Sequence, residues 1–164
     1  MSLESSPHST LLIDSNLLVL LCVGLAGTQY IRQHKRLRAY DETDFEILSI
    51  HVDKASSIMI SPNIATEFSN LSRQAQSPIK EHVTLVFGKL LRSLIEVYVA
   101  SKDVTERREF VRLGLTDAGL LHILEENPHA TLLTVDNDLY LAAAYSSFKA
   151  TNFNHLRDQR SDFQ

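Results

Sequence analysis

Cysteine is almost missing from this sequence: Cys22 is the only one in 164 residues. A disulfide within the chain is excluded, a thiolate zinc site lacks ligands, and the usage fits a reducing, cytoplasmic setting. Long hydrophobic runs are missing too. Leu17–Gly27 is about 11 residues long, where roughly 20 are needed to cross a bilayer. The residues before it include Glu4 but no Lys or Arg up to Ser9, unlike a secretory signal. The run reads as a buried helix with no membrane role. Excess positive charge is absent: the net charge is −4, which argues against holding nucleic acid by bulk electrostatics alone. It leaves room for a nucleic-acid enzyme whose active site is itself acidic and filled by cations. There is no glycine-rich phosphate loop, since Gly24 and Gly27 lie in an apolar run with no Lys-Ser or Lys-Thr after them. No nucleophilic-serine motif occurs. Seven histidines are present, but none pairs with another at helical ligand spacing, so a histidine metal site is not expected. No repeat, low-complexity block or linker interrupts the chain.

What is present is an alternation of short apolar runs and helical spacings. With 44% apolar and 22% charged residues, the chain reads as one soluble domain over 10–156, with a flexible leader at 1–9 and a flexible tail at 157–164. Thr10–Asp14 predicts a strand, and Asn16 to His34 a long helix, apolar first and basic later. Phe45, Leu48 and Val52 have helical spacing within Asp41–Lys54, and Thr43 with Glu46 suggests a capping box. Ser57–Ile60 predicts a second strand. Ser61 and Pro62 then start a helix as N-cap and first helical residue. Ser77-Pro78 opens a helix expected to reach Ala100, apolar on more than one face and suited to burial or an oligomer interface, such as a homodimer. Thr105–Leu113 predicts a short helix broken by Gly114, after which Thr116 caps another. Thr131–Val135 predicts a strand, Asp136-Asn137-Asp138 caps a helix over Leu139–Tyr145, and Ser147–Asn152 predicts a last strand. Strands alternating with helices imply an α/β fold with a mostly parallel sheet of four to five strands covered on both faces.

Four acidic residues recur at equivalent places. Asp14 ends the first strand, Glu67 lies early in the helix after the second, Asp117 lies in the first turn of a helix, and Asp136, with Asp138 close by, follows a later strand. In a parallel sheet, strand ends and helix starts share one edge, where ligands bind. Taken singly, each acid suits helix capping, worth under about 1–2 kcal/mol. Taken together they conflict, because two carboxylates at about 4 Å repel by about 4 kcal/mol even at an effective dielectric of about 20. A cluster needs protons or cations. Oxygen-only ligands suit Mg2+ or Mn2+. Two basic groups accompany the acids: Lys35, Arg36 and Arg38 within Gln33–Arg38, and Arg107, Arg108 and Arg112. Each reads either as a solvated helix end or as a phosphate contact.

Four motifs carry a family resemblance: Leu-Ile-Asp14-Ser-Asn16, Ile-Ser-Pro-Asn-Ile-Ala-Thr-Glu67, Leu-Gly-Leu-Thr-Asp117-Ala, and Leu-Leu-Thr134-Val-Asp136-Asn-Asp138-Leu. In this order, from Thr10 to Thr151, the chain resembles the PIN domain family of metal-dependent ribonucleases. The resemblance implies a three-layer α/β/α fold with strand order 3-2-1-4-5. It makes Asp14, Glu67, Asp117 and Asp136 the catalytic and metal-binding quartet for one or two Mg2+ or Mn2+ ions. Asp138 competes for the fourth metal position, and Asp136 is preferred as the first residue past its strand. Asn16 and Thr134 would be supporting polar residues, and Lys35, Arg36, Arg38, Arg107, Arg108 and Arg112 would guide RNA. The implied activity is endonucleolytic cleavage of RNA by metal-activated water. The implied setting is the toxin of a toxin–antitoxin pair of VapC type, with a cognate antitoxin as partner, although the helices here are longer and more apolar than in compact members.

Two other functions compete. A non-enzymatic scaffold of the same fold would bind protein only, and the intact quartet counts against it. A haloacid-dehalogenase-type phosphohydrolase also begins from a strand-end aspartate, but Asn16 stands where its second aspartate would be. Metal binding separates the scaffold from both enzymes, and RNA cleavage separates the two enzymes.

Overall fold

The computed structural model describes residues 9–160. β1 (Thr10–Ile13) is buried along its whole length, as expected for four apolar or β-branched residues in the middle of a sheet. It pairs in parallel with β2 (Ser57–Ile60) on one side and β4 (Ala130–Thr134) on the other. The short β3 (Ile95–Glu96) extends the sheet beyond β2, and β5 (Ala150–Asn152) extends it beyond β4. The five strands are all parallel, in the order β3-β2-β1-β4-β5. Helices cover the sheet in an α/β/α arrangement, the class and strand order expected.

α1 (Ser15–Ala26) is buried continuously from Leu17 to Gly24. It lies against α2 (Glu42–Lys54), α3 (Pro62–Ser72) and α4 (Ile79–Leu91), so its apolar residues face neighbours all round. Gly24 is needed for this closeness: a Cβ there would stand 2.1 Å from the Phe45 ring of α2. The other half of the sheet is covered by α6 (Phe110–Glu126) and α7 (Asn137–Tyr145), which pack on β4 and on each other. Two short helices, α5 (Ser101–Thr105) and α8 (Phe153–Arg157), complete the order. The buried apolar side chains form one core, running from Leu11 to Phe153.

Several boundaries differ from expectation. The helix expected from Asn16 to His34 ends at Ala26, where the N–H of Gly27 caps onto Val23. The chain continues as two 3₁₀ segments, Thr28–Gln33 and Lys35–Leu37. The capping box of α2 is made by Asp41 and Asp44, each side chain accepting the other's backbone N–H, rather than by Thr43 and Glu46. The helix expected to reach Ala100 stops at Leu91, and Ile95–Glu96 becomes an edge strand instead. On α4, Ile79, Val83 and Phe87 face the core, while Leu85 is exposed. The break at Gly114 is as expected, with φ of 81° in a region that favours glycine.

The tail expected to loosen at Arg157 does not do so within the described residues. Arg157 and Arg160 both close on the start of α2. Arg157 Nε donates to Asp44 Oδ1 at 2.9 Å and its Nη2 to the Ala39 carbonyl at 2.6 Å. Arg160 Nη1 donates to Asp44 Oδ1 at 2.7 Å, and its Nη2 to Asp41 Oδ2 at 2.9 Å. The Asp44 side chain is 1% exposed and that of Arg160 is 5% exposed. The remaining tail, 161–164, and the leader up to residue 8 lie outside the described residues.

Removing one member of a buried charge group strands the other. Arg160→Ala is expected to lower unfolding free energy by about 3 kcal/mol, whereas Arg108→Ala, whose side chain is 80% exposed, should cost under about 1 kcal/mol. Urea denaturation of the two variants measures the difference. Equal losses would show that the cluster carries no special share of stability.

Candidate carboxylate site

Asp14 follows β1 directly, and its N–H donates to the Leu133 carbonyl at 3.2 Å, continuing the pairing with β4. Its side chain caps α1 by accepting the Leu17 N–H on Oδ1 at 2.9 Å. Oδ2 accepts the Thr134 hydroxyl and the Val135 N–H, the latter at 3.0 Å. The Thr134 hydroxyl in turn accepts the Asp136 N–H at 2.9 Å. Thr134 therefore positions two aspartates at once, and both it and Asp14 are buried. Burial raises the Asp14 pKa above the usual carboxylate value; the bonds from Thr134, Leu17 and Val135 oppose this, and the charge of Asp136 adds to it.

Asp136 caps α7, accepting the Leu139 N–H at 2.9 Å, and is itself exposed. Asp117 stands on α6 just past the Gly114 kink, half-buried. Its pKa is pushed up to about 7, first by burial and then by the charges of Asp136, Asp14 and Glu67, in that order. Asp117 thus lies within electrostatic reach of the three other expected carboxylates, and Asp14 within reach of Asp136. Glu67, in the second turn of α3, acts on Asp117 more weakly than the two aspartates do. Asp138 points elsewhere: Arg112 Nη1 lies 3.4 Å from its Oδ1, and it does not contribute to the shift of Asp117.

The basic residues divide. Arg107 is paired with Glu125 and Glu109, and Arg108 with Glu109. Arg36 is turned toward the site, its Nη2 donating to Asn16 Oδ1 at 3.5 Å. Lys35 on the same 3₁₀ segment and Arg38 just after it are exposed. Asn16 is thus occupied by a cation two residues from Asp14.

One neighbour was not anticipated from sequence. Tyr40 carries the Arg157 guanidinium over its ring, 4.8 Å from the centroid. Burial raises its hydroxyl pKa, and the Asp14 charge raises it further. A single tyrosine in a connecting segment offers no spacing signal, and its partner Arg157 is far away in the chain.

The chain matches no family model and no curated protein. The functional reading therefore rests on the residues themselves. Among the described residues, no three His, Cys, Asp or Glu side chains are grouped closely enough to hold one ion. The donor chemistry nonetheless fits a hard divalent cation: the facing groups are all carboxylates, and a cation would offset both the burial and the neighbouring charge that keep Asp117 protonated up to about 7.

That shift fixes a pH dependence. Unfolded, Asp117 loses its proton near the ordinary 3.8; folded, it keeps it to about 7. Its contribution to stability therefore declines as pH rises between those values and is level above them. Asp117→Asn cannot ionise, so without metal its melting temperature should gain on the unsubstituted protein as pH climbs from about 4 to about 7. A pH-independent difference, followed by calorimetry, would contradict the placement of Asp117 among the other carboxylates.

Proposed function

We propose that this protein is a divalent-metal-dependent RNA endonuclease of PIN type. The feature carrying the reading is the gathering of Asp136, Asp14 and Glu67 about Asp117, whose pKa burial first, and then those three charges, push up to about 7. Such mutual repulsion, on the side of a parallel sheet where α/β proteins bind ligands, is a structural cost without a cation and an asset with one. The β3-β2-β1-β4-β5 order is the one that the four-motif resemblance implies.

In this reading Asp14, Asp117 and Asp136 would draw closer than they stand in the metal-free protein to hold Mg2+ or Mn2+, and Glu67 would complete the quartet. When bound, the metal would acidify a water and offset charge on the scissile phosphate. The protein's own part is positional. Thr134 fixes the Asp14 carboxylate and the Asp136 backbone, and Arg36 with Asn16 presents a cation beside the acids. Asp136 is favoured over Asp138 because Asp138 is engaged with Arg112. The same reading makes the protein a cytoplasmic toxin neutralised by a protein partner. Val111, Leu141 and Tyr145 are exposed on α6 and α7, apolar side chains that a protein partner could cover. None of the described helices is long and apolar enough to cross a membrane.

Purified protein is expected to cut single-stranded or looped RNA with Mg2+ or Mn2+, to stop in chelator, and to leave 5′-phosphate and 3′-hydroxyl ends. Asp14→Asn and Asp117→Asn should each remove activity. Asp136→Asn, which retains the helix cap, should impair cleavage far more than Asp138→Asn. Cleavage that continues in chelator, or 2′,3′-cyclic phosphate products on a mass spectrum, would defeat the metal mechanism. Metal-insensitive melting curves together with no cleavage would favour the scaffold reading.

A further inference from the structure

The cations of this protein are not equivalent. Arg107, Arg108 and Arg112 on the α6 side all face carboxylates. Lys35, Arg38, Arg73 and Lys80 have no ion-pair partner among the described residues. These four line two hollows. One, of about 510 Å³, lies between the 3₁₀ segments and the α3–α4 connection, with Tyr30, Gln33, Lys35, Arg38, Gln74 and Gln76 in its wall. The other, of about 170 Å³, lies between α3 and α4, with Arg73 and Lys80 beside the packed rings of Phe68 and Phe87. The linings meet along the chain at Arg73–Gln74 and Ile79–Lys80. No Asp or Glu lines either hollow, in a chain with 20 acidic residues. Glu81 accepts the Ser77 hydroxyl at the rim.

We propose that this groove binds the flank of a single-stranded RNA whose scissile phosphate lies at the carboxylates, an inference that rests on the nuclease reading. Continuity with the site runs through the Lys35–Leu37 segment, whose Arg36 reaches Asn16 beside Asp14. Buried His34 pins that segment, its Nδ1 accepting the Arg36 N–H at 3.3 Å. Lys35 and Arg38 then meet phosphates in the larger hollow, and Arg73 and Lys80 meet the next ones. Tyr30 is held by its hydroxyl bond to His82 Nδ1 at 2.9 Å and offers a ring for base stacking. The amides of Gln33, Gln74 and Gln76 offer donors and acceptors to base edges. Gln33 spends one N–H on the Gln29 carbonyl and keeps its oxygen. Rings and amides read bases only where these are unstacked, which selects a single strand over a duplex. An acidic peptide would satisfy the cations but give the ring and the three amides no role.

The test is fluorescence anisotropy of the full chain with a labelled 12-nucleotide oligouridylate in chelator, across a salt series. Lys35→Gln with Arg38→Gln should weaken binding about tenfold at low salt and reduce the slope of log affinity against log salt by about 1.4, or about 0.7 per lost phosphate contact. Lys35→Arg with Arg38→Lys should restore most of it. Lys54→Gln with Lys149→Gln removes the same charge just before β2 and β5, at the opposite edge of the sheet, and should change affinity less than twofold. Gln74→Ala with Gln76→Ala should alter preference among homopolymers while leaving the salt slope alone. Equal losses in the two charge pairs, no binding by the unsubstituted protein, or polyglutamate competing as well as RNA would each overturn the groove. RNA cleavage with an unchanged KM in the Lys35/Arg38 double variant would also overturn it while leaving the nuclease reading intact. Groove-dependent binding without cleavage in Mg2+ or Mn2+ would do the reverse.

Discussion

The buried carboxylate of Asp14 is the constraint on which this edge of the molecule depends. A carboxylate out of water is costly unless donors replace the lost hydration. The three donors it finds come from separate pieces of chain: the Leu17 N–H at the start of α1, the Thr134 hydroxyl at the end of β4, and the Val135 N–H in the turn to α7. Satisfying one side chain therefore fixes where α1 begins, how far β4 runs beside β1, and where Asp136 is presented. The Thr134 hydroxyl is the hinge of this arrangement, giving its proton to Asp14 and taking the Asp136 N–H. The helix-capping and site-building readings of these aspartates are thus not alternatives. Asp14 and Asp136 are both caps, and the caps are what aim them.

Charge is distributed with the same consequence. At the carboxyl edge, burial and then the charges of Asp136, Asp14 and Glu67 raise the proton affinity of Asp117, and burial with the charge of Asp136 raises that of Asp14. Away from that edge, the acids buried or half-buried beside arginines are matched: Asp41 and Asp44 take Arg157 and Arg160, and Glu109 takes Arg107 and Arg108. An acidic protein with facing carboxylates at a ligand-binding edge, and with Lys35, Arg38, Arg73 and Lys80 lining hollows that no Asp or Glu enters, has the two halves of a polyanion-cleaving surface. The net charge of −4 hides this separation because it sums the halves.

Local chemistry makes much of this legible in the sequence. The strand-Asp-helix transitions at Asp14 and Asp136 are each written within a few consecutive residues, and Ser61-Pro62 marks the start of α3 on the same scale. The strand order was an inference from the family resemblance, since periodicity alone sets no neighbours. The failures lie where tertiary context decides. Leu90 to Val97 reads as a continuing apolar helix, yet Ile95 and Glu96 find the free edge of β2. The box of α2 uses Asp41 and Asp44 because two arginines from the far end of the chain neutralise both acids, a circumstance no local pattern announces. Tyr40 and Arg157 meet across more than a hundred residues for the same reason.

That last meeting links stability to the site. Arg157 holds Asp44 with one face of its hydrogen-bonding fork and the Ala39 carbonyl with another, while its plane covers Tyr40. The segment 39–44 is thereby fixed between α8 and the start of α2. Tyr40 is near enough to Asp14 that, after burial, the aspartate's charge adds to the rise in the phenol's pKa. An edge that accumulates like charge stores repulsion, and repulsion pushes the elements carrying it apart. Asp14 cannot yield, being tied to three segments. Burial and the neighbouring charges instead hold a proton on Asp117 up to about 7, which lowers the repulsion at the edge when no cation is bound.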